Sequence, residues 1–142
     1  MTIATNGLVS VPSIAPTALA PRRLRHLIEH DGGFTLSLRS GRPVERGISV
    51  CLSPSRTMAF PLSRWDDDLV GYWLGERCLD RNWRRSSLGG WLDPRTDDVW
   101  LDAVRVVAPA FRPAAVFVGR ALQQHCVFDI GRGETVALRG AA

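Results

Sequence analysis

The stretch Leu88–Val107, LGGWLDPRTDDVWLDAVRVV, constrains this chain more than any other. It reads as two apolar strands around a polar turn, because Asp93 can hydrogen-bond the backbone ahead of it and Pro94 presets its own φ. If the turn closes there, Trp91 and Trp100 stand about opposite each other. A chain with such a hairpin at its centre is expected to build an antiparallel sheet around it. Gly89 and Gly90 would allow close backbone approach, and the two tryptophans would supply core area. The turn residues Asp93 to Asp98 are then its exposed, partner-facing part.

The chain has 142 residues and 45% apolar content, enough for one domain with a single core. Residues 1–20, rich in Ala, Thr, Ser and Pro, read as a flexible or loosely docked arm, and 21–139 as a single α+β domain. Every one of the 18 basic side chains is Arg and the net charge is +4. Total avoidance of Lys fits codon bias in a GC-rich genome, while Arg keeps the surface suited to anionic partners. Cys51, Cys78 and Cys126 are odd in number and contain no C-x-x-C pair, so they read as reduced, mostly buried thiols of a cytoplasmic protein. No run approaches 18 consecutive apolar residues, so no transmembrane helix is expected. The first twenty residues lack a basic n-region and are interrupted by Pro12 and Pro16, which argues against a signal peptide.

Before the hairpin, Pro21 opens a short helix with Leu24, Leu27 and Ile28 on one side, and Gly32-Gly33 ends it. Phe34, Leu36 and Leu38 alternate, Ser40 to Pro43 form a turn, and Val44 to Leu52 alternate again, the signal of an antiparallel hairpin. Met58 to Phe60 add a short segment. Ser63 reads as the N-cap of a helix with Asp66 three residues on. Trp65, Leu69, Tyr72, Leu79 and Trp83 form its core-facing stripe. After the hairpin, Ala114, Phe117, Val118 and Ala121 repeat at helical spacing, and Cys126–Ile130 with Glu134–Arg139 make a third hairpin. The expected fold is a curved antiparallel sheet from three hairpins with two main helices packed on one face.

Three clusters bear on chemistry. His26-Leu27-Ile28-Glu29-His30 fits the H-x-x-E-H pattern, in which two histidines one turn apart bind Zn²⁺ and the glutamate acts as base. Glu76 offers a third ligand, but the histidine-bearing helix stops two residues after His30 at Gly32-Gly33, so two surface histidines are the simpler reading and no cofactor is expected. The adjacent Asp66, Asp67 and Asp68 invite a metal reading, although the helix dipole alone favours them. Arg77, Arg81, Arg84 and Arg85 recur at helical spacing around Trp83, an arrangement suited to phosphates and base stacking, with Arg22, Arg23 and Arg25 as possible additions. A solvated helix end explains the same run.

GGFT at 32–35, the Gly-Arg-Pro turn, Pro61-Leu62-Ser63, LGGW at 88–91, WLD at 100–102, Gln123 or Gln124, and FDI at 128–130 before Gly133-Glu134 follow in order. As a set over roughly Ile28 to Leu138 this resembles small uncharacterised proteins of actinobacteria and of the phages that infect them. The resemblance implies provenance, a cytoplasmic protein of a GC-rich host or its phage, and no chemistry. Three functions follow. The first is a non-catalytic protein, phage or mobile-element derived, that binds a host protein. The second is a nucleic-acid binder acting through the Arg-rich helix end. The third is a small hydrolase or nuclease using Asp97, Asp98, Asp102, Asp129, Glu134 or His125. Against the third, Asp97 and Asp98 belong to a turn, Asp129 is expected on the solvent side of its strand, and a His beside a Cys is commonly structural.

Overall fold

The computed structural model describes residues 19–51, 57–78, 86–124 and 126–138. Within them the chain forms helices α1 (Pro21–Asp31), α2 (Asp67–Cys78) and α3 (Arg112–Ala121). Its strands are β1 (Gly33–Ser37), β2 (Ile48–Cys51), β3 (Met58–Pro61), β4 (Ser87–Leu92), β5 (Asp98–Val107), β6 (Cys126–Asp129) and β7 (Glu134–Ala137). The seven strands make one open, wholly antiparallel sheet in the order β1-β4-β5-β2-β6-β7, with β3 also on β5. The fold is α+β. Among the described residues no helix is long and apolar enough to cross a membrane.

The central hairpin forms as its residues dictate. Trp91 pairs with Trp100, and the ladder runs from Ser87↔Val104 to Leu92↔Val99. Asp93 closes the turn: its carboxylate accepts the Arg95 N–H at 2.9 Å, and its carbonyl accepts the Asp97 N–H at 2.8 Å. Asp97 takes the left-handed φ of 58° that short polar residues tolerate. The Arg95 guanidinium returns to the Asp93 carboxylate, and this hydrogen bond holds the Asp93 carboxyl below its ordinary range.

Around that hairpin the sheet grows by long-range pairing. β5 has β4 along one edge; its other edge is shared by β3 in the first half and β2 in the second. The expected hairpin from Phe34 to Leu52 is therefore corrected. Ser37 and Val44 close a local turn through Arg42 and Thr35, with one bridge between Leu36 and Pro43, but β1 then pairs with β4 and β2 with β5. Gly41 and Gly47, at positive φ, redirect the chain across the sheet between them. The β4–β5 and β6–β7 hairpins form as expected.

Strand alternation puts Leu36, Leu88, Val99, Leu101 and Ala103 on one face, where they join Leu24 and Ile28 of α1 and Val70 and Leu74 of α2 in one core. Each large aliphatic side chain buried there contributes about 1.5–3 kcal/mol. Ile48, Val50 and Val127 continue the same face under α3, where Ala115 and Leu138 complete a smaller core. All three helices thus cover one face. Leu19 is fully buried in the larger core, so the ordered domain reaches into the stretch assigned to the arm; residues 1–18 lie outside the described ones.

Several local expectations change. A 3₁₀ turn at Leu62–Arg64 occupies the place of the expected helix start. Asp66, not Ser63, caps α2, its carboxylate accepting the Asp68 and Leu69 N–H groups at 2.9 and 3.2 Å. The buried stripe of α2 is Val70 and Leu74, whereas Leu69 and Tyr72 are exposed; Trp65 is buried just before the helix, and Leu79 and Trp83 lie outside the described residues. On α3 the sheet receives Ala115 and Gly119, and Phe117 and Val118 face outward. Close helix–sheet approach selects the small residues, so the large apolar ones rotate away. Trp91 and Trp100 are likewise 48% and 41% exposed rather than core.

Candidate functional site

The residues singled out from the sequence are distributed over the fold. Arg77 lies near the end of α2 and lines a shallow cleft of about 360 Å³ with Leu69, Tyr72, Trp73, Glu76 and Met58. Arg81, Trp83, Arg84, Arg85 and His125 lie outside the described residues. His26 and His30 sit on the exposed side of α1 with ring centroids 4.1 Å apart, and Glu29 accepts a 2.7 Å bond from Arg25 Nε. Among the described residues no group of three or more His, Cys, Asp or Glu side chains gathers as metal ligands would. In the acidic run, Asp66 caps the helix and Asp67 accepts the Trp65 indole N–H at 2.8 Å.

Of the carboxylates proposed for hydrolysis, Asp129 and Glu134 are cross-strand partners and the others lie apart. Asp129 is buried on the helix-bearing face, a correction to its expected solvent position. Alternation along β6 places it beside Val127 there, where Arg112, at the first turn of α3, reaches it at 3.5 Å and the Arg132 N–H at 3.2 Å. It pins α3 and the β6–β7 turn to the sheet. Asp97 belongs to the central turn, Asp98 begins β5 opposite Pro61, and Glu134 is exposed on β7. Asp102 projects from the opposite face of β5.

That opposite face carries the most distinctive surface. Register and alternation assign it Thr35 on β1, Gly89 and Trp91 on β4, Trp100, Asp102 and Val104 on β5, Ser49 and Cys51 on β2, and Cys126 and Phe128 on β6. None of the strand residues assigned to it is an arginine, in a chain with 18 of them. Trp91 and Trp100 stand side by side, half-exposed, and Phe128 is 39% exposed farther along. Between them Gly89 leaves room for its neighbours: a side chain there would start 2.8 Å from Asp102 Oδ1 and 3.0 Å from Val104 Cγ1.

Asp102 is the chemically unusual group. Burial pushes its carboxyl up to about 6, opposed in part by a hydrogen bond from the Cys51 thiol. Cys126 is exposed, and desolvation of its thiol and then the Asp102 charge push that thiol up as well. The expectation of mostly buried cysteines therefore fails at Cys126. The alternation around Trp100 was enough to put Asp102 on this face. The nearness of Cys51 to it depends on the β2–β5 pairing, which sets Cys51 opposite Val104 and which no local pattern announces.

No protein family, no curated protein and no solved structure matches the chain.

Proposed function

We propose that this is a small non-catalytic binding protein that engages another protein through the sheet face opposite its three described helices, with Trp91 and Trp100 as anchors. The observation that carries this reading is the direct cross-strand pairing of two half-exposed tryptophans on a face where no strand residue is an arginine. Exposed apolar surface of this kind marks interaction sites, and Trp is enriched among the residues that dominate binding energy. Covering the remaining half of each indole, on the order of 100 Å², is worth about 2–3 kcal/mol per ring. The lack of cationic side chains among the strand residues of this face disfavours a polyanion there. The ordered-motif resemblance makes an actinobacterial host protein the partner class, and a phage or mobile element the source.

Immobilised protein should retain one stoichiometric partner from an actinobacterial lysate, and the Trp91→Ala/Trp100→Ala variant should lose it while keeping its circular dichroism. Retention of the partner by the folded double variant would refute the reading.

A second reading, nucleic-acid binding, draws on the placement of Arg77 beside the exposed Tyr72 in the α2 cleft. It requires a gel shift with single-stranded DNA or RNA at about 50 mM salt that weakens steeply as salt rises. Absence of a shift at low salt removes it.

A further inference from the structure

We propose that the outward face of α3 is a homodimer interface at which a second copy of this chain docks, helix against helix, antiparallel about a twofold axis. The surface comes from an inverted helix. At 100° per residue Ala114, Phe117, Val118, Ala121 and Leu122 share a sector of about 140°, and every one of them is exposed. An apolar stripe of that width ordinarily faces the core. Here the core takes Ala115 and Gly119 instead, because a side chain at 119 would start 2.6 Å from Leu138 Cδ1. Both arginines of α3 turn toward the sheet: Arg112 reaches the Asp129 carboxylate at 3.5 Å, and Arg120 Nε donates to the Leu138 carbonyl at 3.3 Å. The outward sector of α3 is therefore uncharged, with Phe117 73% exposed and Phe111, at the helix N-cap, 62%.

The sequence of this face points to its own copy as the occupant. Ala114-x-x-Phe117-Val118-x-x-Ala121 has the same order, small, large, large, small, from either end. An antiparallel twofold axis between 117 and 118 sets Ala114 against Ala121 and Phe117 against Val118, and each pairing occurs twice, as a closed dimer requires. The alanines let the helix axes approach toward the near end of the usual range of about 8–10 Å, and Phe117 fills the space between them. The same register opposes Arg112 to Gln123 and Arg120 to Ala115, so no arginine meets an arginine although the chain carries a net +4.

The area sets the strength. Phenylalanines at this exposure offer roughly 130 Å² each, and with Val118, Leu122 and the alanines the face amounts to on the order of 450 Å² per copy, or about 900 Å² across the pair. That lies below the range of about 1,200–2,000 Å² of standard stable interfaces, so the dimer is weak and reversible. A lipid surface is the less suited occupant, since interfacial helices hold basic side chains free for anionic headgroups, and Arg112 and Arg120 are engaged on the sheet. Because α3 packs on the sheet face opposite Trp91 and Trp100, the interface leaves that pair untouched, and it stands whether or not the pair binds a partner.

Sedimentation equilibrium of the 142-residue chain across the micromolar to submillimolar range should show the mean mass rising from 15.6 kDa toward twice that value. Phe117→Glu and Val118→Arg should each remain monomeric with unchanged circular dichroism, since both side chains are exposed. Mixing the two variants should restore association by setting opposite charges against each other across the pair. The Trp91→Ala/Trp100→Ala variant should dimerise as the unaltered chain does. A constant 15.6 kDa at every concentration, a dimer that survives Phe117→Glu, one lost with the tryptophans, variants that stay apart on mixing, or a monomer that instead sediments with phosphatidylcholine vesicles through Phe117 would overturn the proposal.

Discussion

The two faces of β5 carry the same alternating backbone into different surroundings. Val99, Leu101 and Ala103 point under the helices and are buried, whereas Trp100 on the other face keeps two-fifths of its surface in solvent. On the covered face β5 sets the aliphatic Val99, Leu101 and Ala103 into the larger core. On the other the chain sets aromatic rings, two thiols and an enclosed carboxyl beside a glycine. The difference teaches that binary patterning specifies which residues share a face, while the helices decide which face becomes the core.

Four substitutions press on this contrast. On the covered face, Leu101→Ala removes a fully buried side chain at the centre of the larger core and should cost about 2–5 kcal/mol in urea unfolding. A loss below about 1 kcal/mol would mean that the helices do not pack here as described.

On the other face, Asp102 should act in the opposite sense. Its carboxyl, at about 6 when folded against an ordinary 3.8, holds its proton better in the folded state than in the unfolded chain. Its favourable contribution is complete below about pH 4 and is lost as pH rises through about 6, a change on the order of 3 kcal/mol. Asp102→Asn should therefore flatten the pH dependence of stability between those values and leave the variant the more stable protein at pH 8. Parallel pH–stability curves for the two proteins would contradict this.

The smaller core should show its tightness at Gly119, where a methyl group would start 2.6 Å from Leu138 Cδ1 and 3.0 Å from Val127 Cγ1. Gly119→Ala is expected to lower stability by about 1–3 kcal/mol through overpacking, despite its better helix propensity. A gain in melting temperature would show that α3 stands farther from the sheet. The smallest effect belongs to Trp100→Ala, where only the covered part of one indole is lost and stability should fall by about 1–2 kcal/mol. A larger drop in denaturant titration would return this tryptophan to the core and undercut its role as an anchor.

What the sequence discloses follows the range of the interactions involved. The β4–β5 hairpin is legible because Asp93, Pro94 and the flanking alternation act within a few residues, and α1 because Pro21 and Gly32 mark its ends. The partners of β1 and β2 are hidden because a strand's alternation names its inward face but not its neighbour. Size and hydrophobicity argue for burial of Trp91, Trp100 and Tyr72, which are exposed. The inward side of α3 depends on where that helix must approach closely, and Ala115 and Gly119 meet that demand better than Phe117. In the candidate site Trp91 and Trp100 were identifiable as a pair but not as surface, and Arg77 was identifiable as a residue but not with its cleft neighbours Tyr72 and Glu76.

The arrangement of β5 between β4 and the separate strands β2 and β3 also governs the order of assembly. Only β4 meets β5 through a short turn; β1 reaches β4, and β2 and β3 reach β5, across long intervening stretches of chain. Closing such loops costs chain entropy before any contact repays it, so the β4–β5 hairpin is the economical nucleus and the flanking strands condense onto it. Substitutions in the ladder between Leu88 and Ala103 should slow refolding, whereas those at β1 or β2 should chiefly speed unfolding, a division that φ-value analysis reads directly.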